Sequence, residues 1–102
     1  MKNEVKDLIK QKLDIVDVIG EYINLIPAGS NYKALSPFRN EKTPSFIVSP
    51  ELQIYKDFGG DKSGDIFQFI MDIEGISFLE SLNILSQKAG ISLKKYNQND
   101  TI

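Results

Sequence analysis

A chain of 102 residues with a formal net charge of −2 fits one small domain with a thin apolar core. It has no Cys and no His, which excludes disulfides and a Cys/His zinc site and leaves only carboxylates that could hold Mg²⁺ weakly. The charge has the wrong sign for binding nucleic acid through bulk electrostatics, so any such binding calls for a local patch. Met1-Lys2-Asn3-Glu4 does not open a signal peptide, because an acidic residue comes at once and no apolar run follows. No apolar stretch approaches the ~20 residues of a membrane span. A soluble, cytoplasmic protein with no membrane partner is expected, and the lack of Cys fits a reducing compartment.

From the N-terminus, Val5, Leu8, Ile9, Leu13, Val16 and Ile19 recur at spacings that suit a helical face over residues 4–19. Asn3 is placed to cap it, Asp14 to break it into a long and a short helix, and Gly20 to stop it. Tyr22–Ile26 reads as a strand, 27–31 as a turn, and Tyr32–Leu35 as the return strand. Residues 36–44 hold two prolines and little periodicity, so a structured loop is expected. Ser45–Val48 and Gln53–Phe58 read as strands joined by a tight turn over Ser49-Pro50-Glu51-Leu52. Two hairpins would then flank the loop and form one antiparallel sheet.

Residues 59–64, rich in glycine, read as a second, flexible loop. Ile66, Phe69, Ile70 and Ile73 form an i, i+3, i+4, i+7 stripe, with Asp65 and Gln68 spaced as a capping box and Glu74-Gly75 as the stop. Ser77 and Glu80 give a second capping box, Phe78, Leu82, Leu85 and Ala89 a second stripe, and Gly90 its end. The polar segment 94–102 reads as a linker or frayed end leading toward a further domain, so the expected domain is 1–93. The fold class is α+β: a small antiparallel sheet flanked by N- and C-terminal helices.

Lys33, Arg39, Lys42, Lys56 and Lys62 fall in the sheet and its loops, interleaved with Tyr32, Phe38, Phe46, Tyr55 and Phe58. Basic groups track phosphates and aromatic faces stack on bases, which is how single strands are held with little sequence readout. Strand alternation sends Tyr55 and Asp57 to one face and Lys56 and Phe58 to the other, so not every aromatic can reach a ligand. Phe38, Phe46 and Phe58 read first as core. Tyr32 and Tyr55 stand equally as core or as platforms. Catalysis has little support, since His and Cys are absent; Asp61 and Asp65 bracket a loop as a carboxylate pair able in principle to bind Mg²⁺, but read first as a solvated residue and a helix cap. The glycines at 59, 60 and 64 precede a helix but lack the Gly-Lys-Ser/Thr ending of a phosphate loop.

Ser36-Pro37-Phe38-Arg39-Asn40-Glu41-Lys42-Thr43-Pro44-Ser45-Phe46, followed by Tyr55-Lys56-Asp57-Phe58-Gly59-Gly60-Asp61, resembles the zinc-ribbon signature of bacterial replicative primases of the DnaG type. That pattern runs Cys-Pro-Phe-His-x-Glu-Lys-Thr-Pro-Ser-Phe, then Tyr-x-Cys-Phe-x-Cys-Gly. The likeness extends over residues 4–90, through Asp14–Tyr22, Asn31–Leu35, Ile66–Phe69 and Glu74–Phe78. The resemblance places Ser36, Arg39, Asp57 and Gly60 at the four zinc-ligand positions, so the expected domain is a zinc ribbon without its zinc and without another metal cofactor. An Arg39–Asp57 ion pair, assisted by Ser36, is expected in the metal's place.

The resemblance implies a domain that recognises single-stranded DNA template, with Lys33, Arg39, Lys42, Tyr55, Lys56 and Lys62 as DNA contacts. It assists primer initiation by a primase catalytic domain, in cis or in trans, that carries the Mg²⁺ carboxylates and is absent here. The chain alone is not expected to polymerise. The alternative is a protein-interaction module that docks on the catalytic domain or the replicative helicase, with DNA binding lost.

Overall fold

The computed structural model describes residues 3–93, so the expected linker over 94–102 and the side chain of Asn3 lie outside the described residues. Helix α1 (Asn3–Lys12) and helix α2 (Ile15–Gly20) divide where the sequence places the break. Asp14 is extended there and its carboxylate accepts from the Val16 amide at 2.8 Å, so it ends one helix by capping the next.

Strands β1 (Ile26–Ala28), β2 (Asn31–Ala34), β3 (Phe46–Ser49), β4 (Ile54–Asp57) and β5 (Ser63–Gly64) form one antiparallel sheet in sequential order. Two expectations are corrected here. Tyr22–Ile26 is not a strand: Tyr22 and Ile23 close a turn after α2, their amides donating to the Ile19 carbonyl, and pairing begins only at Ile26. The glycine-rich segment is not all loop, because Ser63 and Gly64 pair with Lys56 and Tyr55. The β3–β4 turn has the expected four residues but lies one position later, over 50–53. Gln53 takes a left-handed φ of 57° and its side-chain oxygen accepts from the Ile15 amide at 2.9 Å, tying the turn to the start of α2.

Helix α3 (Ile66–Glu74) and helix α4 (Phe78–Ala89) form a hairpin in which α3 packs on β5 and α2 while α4 packs on α1. Gly75 and Gly90 end them with φ of 68° and 73°, a conformation that costs glycine least. The Ser77–Glu80 capping box is complete. That at Asp65 is half made: Asp65 accepts from the Gln68 amide, but the Gln68 side chain turns to Asp72.

The core lies between this hairpin, α2 and the inner face of the sheet. Phe69 is at its centre, with ring contacts to Tyr22, Phe38, Phe46 and Tyr55 at 5.5–6.1 Å between centroids. Ser81 and Ser86 are buried on α4, their hydroxyls returned to their own helix's carbonyls, so they act as small spacers. Among the described residues no helix is long and apolar enough to cross a membrane.

Candidate nucleic-acid interface and the signature-loop cluster

Alternation divides the sheet sharply. On β4, Tyr55 and Asp57 are buried while Ile54 and Lys56 are exposed. The register lines up Ile26, Lys33, Ile47, Lys56 and Ser63 as one row across all five strands on the face away from the helices. Leu35 and Phe58 extend that face at the loop end, and Ile54 at the turn end. The outcome is an open face with two lysines set among aliphatic groups and one aromatic. Phe58 is 63% exposed, with Lys56 Nζ 5.0 Å from its ring centre.

The expected DNA contacts separate on this geometry. Lys33 and Lys56 share the open face, and Lys42 is exposed on the signature loop. Tyr55 does not belong with them. It is fully buried, its ring stacked on Phe46 at 5.3 Å and its hydroxyl 3.1 Å from Asp72, so it has no free face for a base. Burial first, then the Asp72 carboxylate, push its pKa upward. Lys62 also stands apart, its Nζ 5.5 Å from the Phe38 ring centre and 3.9 Å from Asp72.

Phe58, read first as core, is the exposed aromatic instead. The alternation that pairs it with Lys56 was the signal for this. Phe46 is core as expected, and Phe38 is half-buried against it at 6.2 Å.

Arg39 is already engaged. Its Nη2 donates to Asp57 Oδ1 at 2.7 Å and to Ser45 Oγ at 2.8 Å, and its Nη1 lies 2.9 Å from Glu41 Oε1. These bonds give Arg39 a structural role in the signature loop. The expected Arg39–Asp57 pair is present, and Ser36 Oγ donates to Asp57 Oδ2 at 2.8 Å.

Glu41 and Ser45 complete the cluster, and sequence reasoning missed them. Glu41 Oε2 accepts from the Ser36 and Ser45 amides at 2.7 and 3.2 Å, while Oε1 accepts from the Ser45 hydroxyl at 2.6 Å. The hydroxyl of Ser45, the two amides and the Arg39 charge together outweigh desolvation and hold the Glu41 carboxyl below its usual range. Hydrogen bonding to Asp57, against some desolvation, raises the Arg39 pKa. Their membership in the Glu-Lys-Thr-Pro-Ser run was the available signal.

Glycine shapes the pocket for the guanidinium. A Cβ on Gly59 would lie 1.9 Å from Arg39 Nη2, and one on Gly60 3.2 Å from Asp57 Oδ2. These positions do not fit a zinc ion. Ser36, Arg39, Asp57 and Gly60 offer a hydroxyl, a cation, one carboxylate and no side chain, where zinc takes four N, S or O ligands. Among the described residues no group of three or more Cys, His, Asp or Glu is arranged to hold a metal.

Residues 1–101 match the family model described as the CHC2 zinc finger, the zinc ribbon of DnaG. A DNA primase of Thermotoga maritima is 51% identical over 98 residues, covering 96% of this chain and 17% of that protein. One of Geobacillus stearothermophilus is 53% identical over 93 residues, covering 91% and 16%. The chain thus spans less than a fifth of the curated relatives' length. The solved structure of the Aquifex aeolicus primase, comprising zinc-binding and RNA polymerase domains, superposes with a TM-score of 0.80 at 43% identity, over 89% of this chain and 23% of that one. With the five-stranded sheet, the helical hairpin and the signature loop in place, the chain belongs to the CHC2 zinc-finger family of DnaG-type primases.

Proposed function

We propose that this domain binds single-stranded DNA template across its open sheet face and presents it to a primase catalytic domain for initiation of an RNA primer in the cytoplasm. The observation that carries this reading is the five-strand row Ile26–Lys33–Ile47–Lys56–Ser63, extended by the exposed Phe58. Lysine charges flank apolar and aromatic surface there, a combination that follows a phosphate backbone and stacks bases without needing a strongly basic protein. Lys42 on the neighbouring loop would extend the track. Phe58 replaces Tyr55 as the stacking residue. The Mg²⁺ chemistry belongs to the catalytic domain, reached in cis or in trans. No metal serves this domain, because its signature positions present the wrong donors.

A second reading has an observation of its own. Ile26, Leu35 and Ile54 are each more than 40% exposed on the same face, which suits docking on the catalytic domain or the replicative helicase. Titration of the isotope-labelled chain with a short single-stranded DNA at two salt concentrations separates the two. Template binding predicts amide shifts at Lys33, Ile47, Lys56 and Phe58 that shrink as salt rises, and a Phe58→Ala variant with weakened binding and an intact fold. No shift at millimolar DNA rejects template binding by this domain and leaves the protein-docking reading.

A further inference from the structure

We infer that Arg39 performs here the mechanical task of the metal in a zinc ribbon: its guanidinium clamps the signature loop to the end of β4, so the domain folds and keeps its open face without metal. This rests on the family reading and goes beyond it by assigning the clamp to Arg39, Asp57, Glu41 and Ser45.

Residues 35–45 form no strand or helix, and the sheet's ladder reaches them at Ser45, whose carbonyl accepts from the Phe58 amide at 2.9 Å. Three of their amides, those of Ser36, Phe38 and Ser45, end instead on side-chain oxygens of the same cluster. A planar guanidinium suits this task because its fixed donors can serve two carboxylates at once, which a lysine ammonium cannot do in the same geometry. Here one fork reaches Asp57 and Glu41 at 2.7 and 2.9 Å.

A buried ion pair holds a structure only when its other lone pairs are met. Asp57 is 2% exposed, and its second oxygen is met by the Ser36 hydroxyl. The second oxygen of Glu41 is met by two amides. Among the described residues, Arg39 Nε is the buried side-chain nitrogen or oxygen without a partner. Gly59 admits the guanidinium against its backbone, where any side chain would collide with it. The parts fit one another as a clamp fits, with the cation supplied by the chain itself.

This clamp has no thiolate to oxidise and nothing for a chelator to remove, but it depends on charge and on the shape of the fork. Thermal unfolding of the chain is measured with metal analysis, with and without EDTA, alongside Arg39→Lys and a double-mutant cycle of Arg39→Met and Asp57→Leu. The expected results are no stoichiometric zinc and an unfolding midpoint unmoved by EDTA. Arg39→Lys should lower the midpoint despite keeping the charge. The double variant should be more stable than the two single changes summed, with a coupling of about tenfold or more in the unfolding equilibrium constant.

A midpoint that falls as EDTA extracts zinc, or an additive cycle, overturns the clamp. Should Arg39→Met not fold, Arg39→Lys and the EDTA arm still decide. Loss of DNA binding in a chain with an intact clamp counts against the proposed function and leaves the clamp standing.

Discussion

The helical hairpin and the signature loop are two solutions to fixing a chain in one small domain. In α3 and α4 the fixing is local and redundant: caps at Asp65 and Ser77, stops at Gly75 and Gly90, and apolar stripes packed into the core. Residues 35–45 have none of this. Their geometry is set by carboxylates and one guanidinium whose partners are up to 21 residues apart in sequence. Apolar packing tolerates small errors because its energy is spread over many contacts. A charge cluster tolerates few, since removing one member leaves the others buried and unpaired. The first region should therefore govern stability, and the second should govern the precision of the face it borders.

The largest expected effect tests the packed side. Phe69→Ala removes the ring that touches four other aromatics, and should cost about 3–5 kcal/mol. Urea unfolding would register this as a large fall in midpoint. A loss below about 1 kcal/mol would mean that Phe69 is not the centre of the core.

An intermediate effect tests the cluster without touching a charge. Gly59→Ala places a methyl where the Arg39 guanidinium lies, so it should destabilise by about 2 kcal/mol through displacement of the clamp. Added to Arg39→Met, the same change should cost little more, because the group it displaces is gone. Full additivity in urea midpoints would contradict the placement of Arg39.

The smallest effect is graded and comes with acid. Glu41 is held below its usual pKa, so its contribution is fully present above the unfolded value of about 4.3 and is lost as pH falls through the lower folded value. Asp65 behaves in the same direction: burial pushes its pKa up, but the Gln68 amide, Lys10 and Lys6 more than offset this. Stability should be level from pH 7 to about 5 and decline below about 4. Glu41→Gln should flatten only part of the decline, leaving the part from the α3 cap. An unchanged acid limb in urea midpoints measured against pH would remove Glu41 from the cluster's energetics.

The same contrast explains what the sequence disclosed. Both C-terminal helices were legible because cap, stripe and stop lie within a few residues of one another. The sheet's two hairpins were legible from turn chemistry. Strand β1 was misplaced because Tyr22–Leu25 looks like a strand in composition, yet Tyr22 is spent on an edge contact with Phe69 and a hydrogen bond to Glu74. Strand β5 has only Ser and Gly, so it carries no side-chain pattern to read.

At the site, the Arg39–Asp57 pair was reachable only because the resemblance placed two distant positions around one former ion. The parts played by Glu41 and Ser45 were not, since their bonds appear only when the loop closes. Tyr55 and Phe58 show the reverse: alternation in β4 already separated them, but not which face is open, so Tyr55 was read as a DNA contact and Phe58 as core, opposite to their burial.

The most direct test of the central claim is amide hydrogen exchange at Ser36 and Ser45 in the intact chain. Both lie in a loop without strand or helix, yet both donate to Glu41 Oε2. A self-supplied clamp predicts that they exchange far more slowly than open-loop amides, that EDTA leaves them protected, and that Arg39→Lys releases them while the Phe46 and Tyr55 amides stay protected. Exchange at open-loop rates in the wild-type chain, with the core amides still protected, would show that the loop is not held by this cluster and would contradict the account.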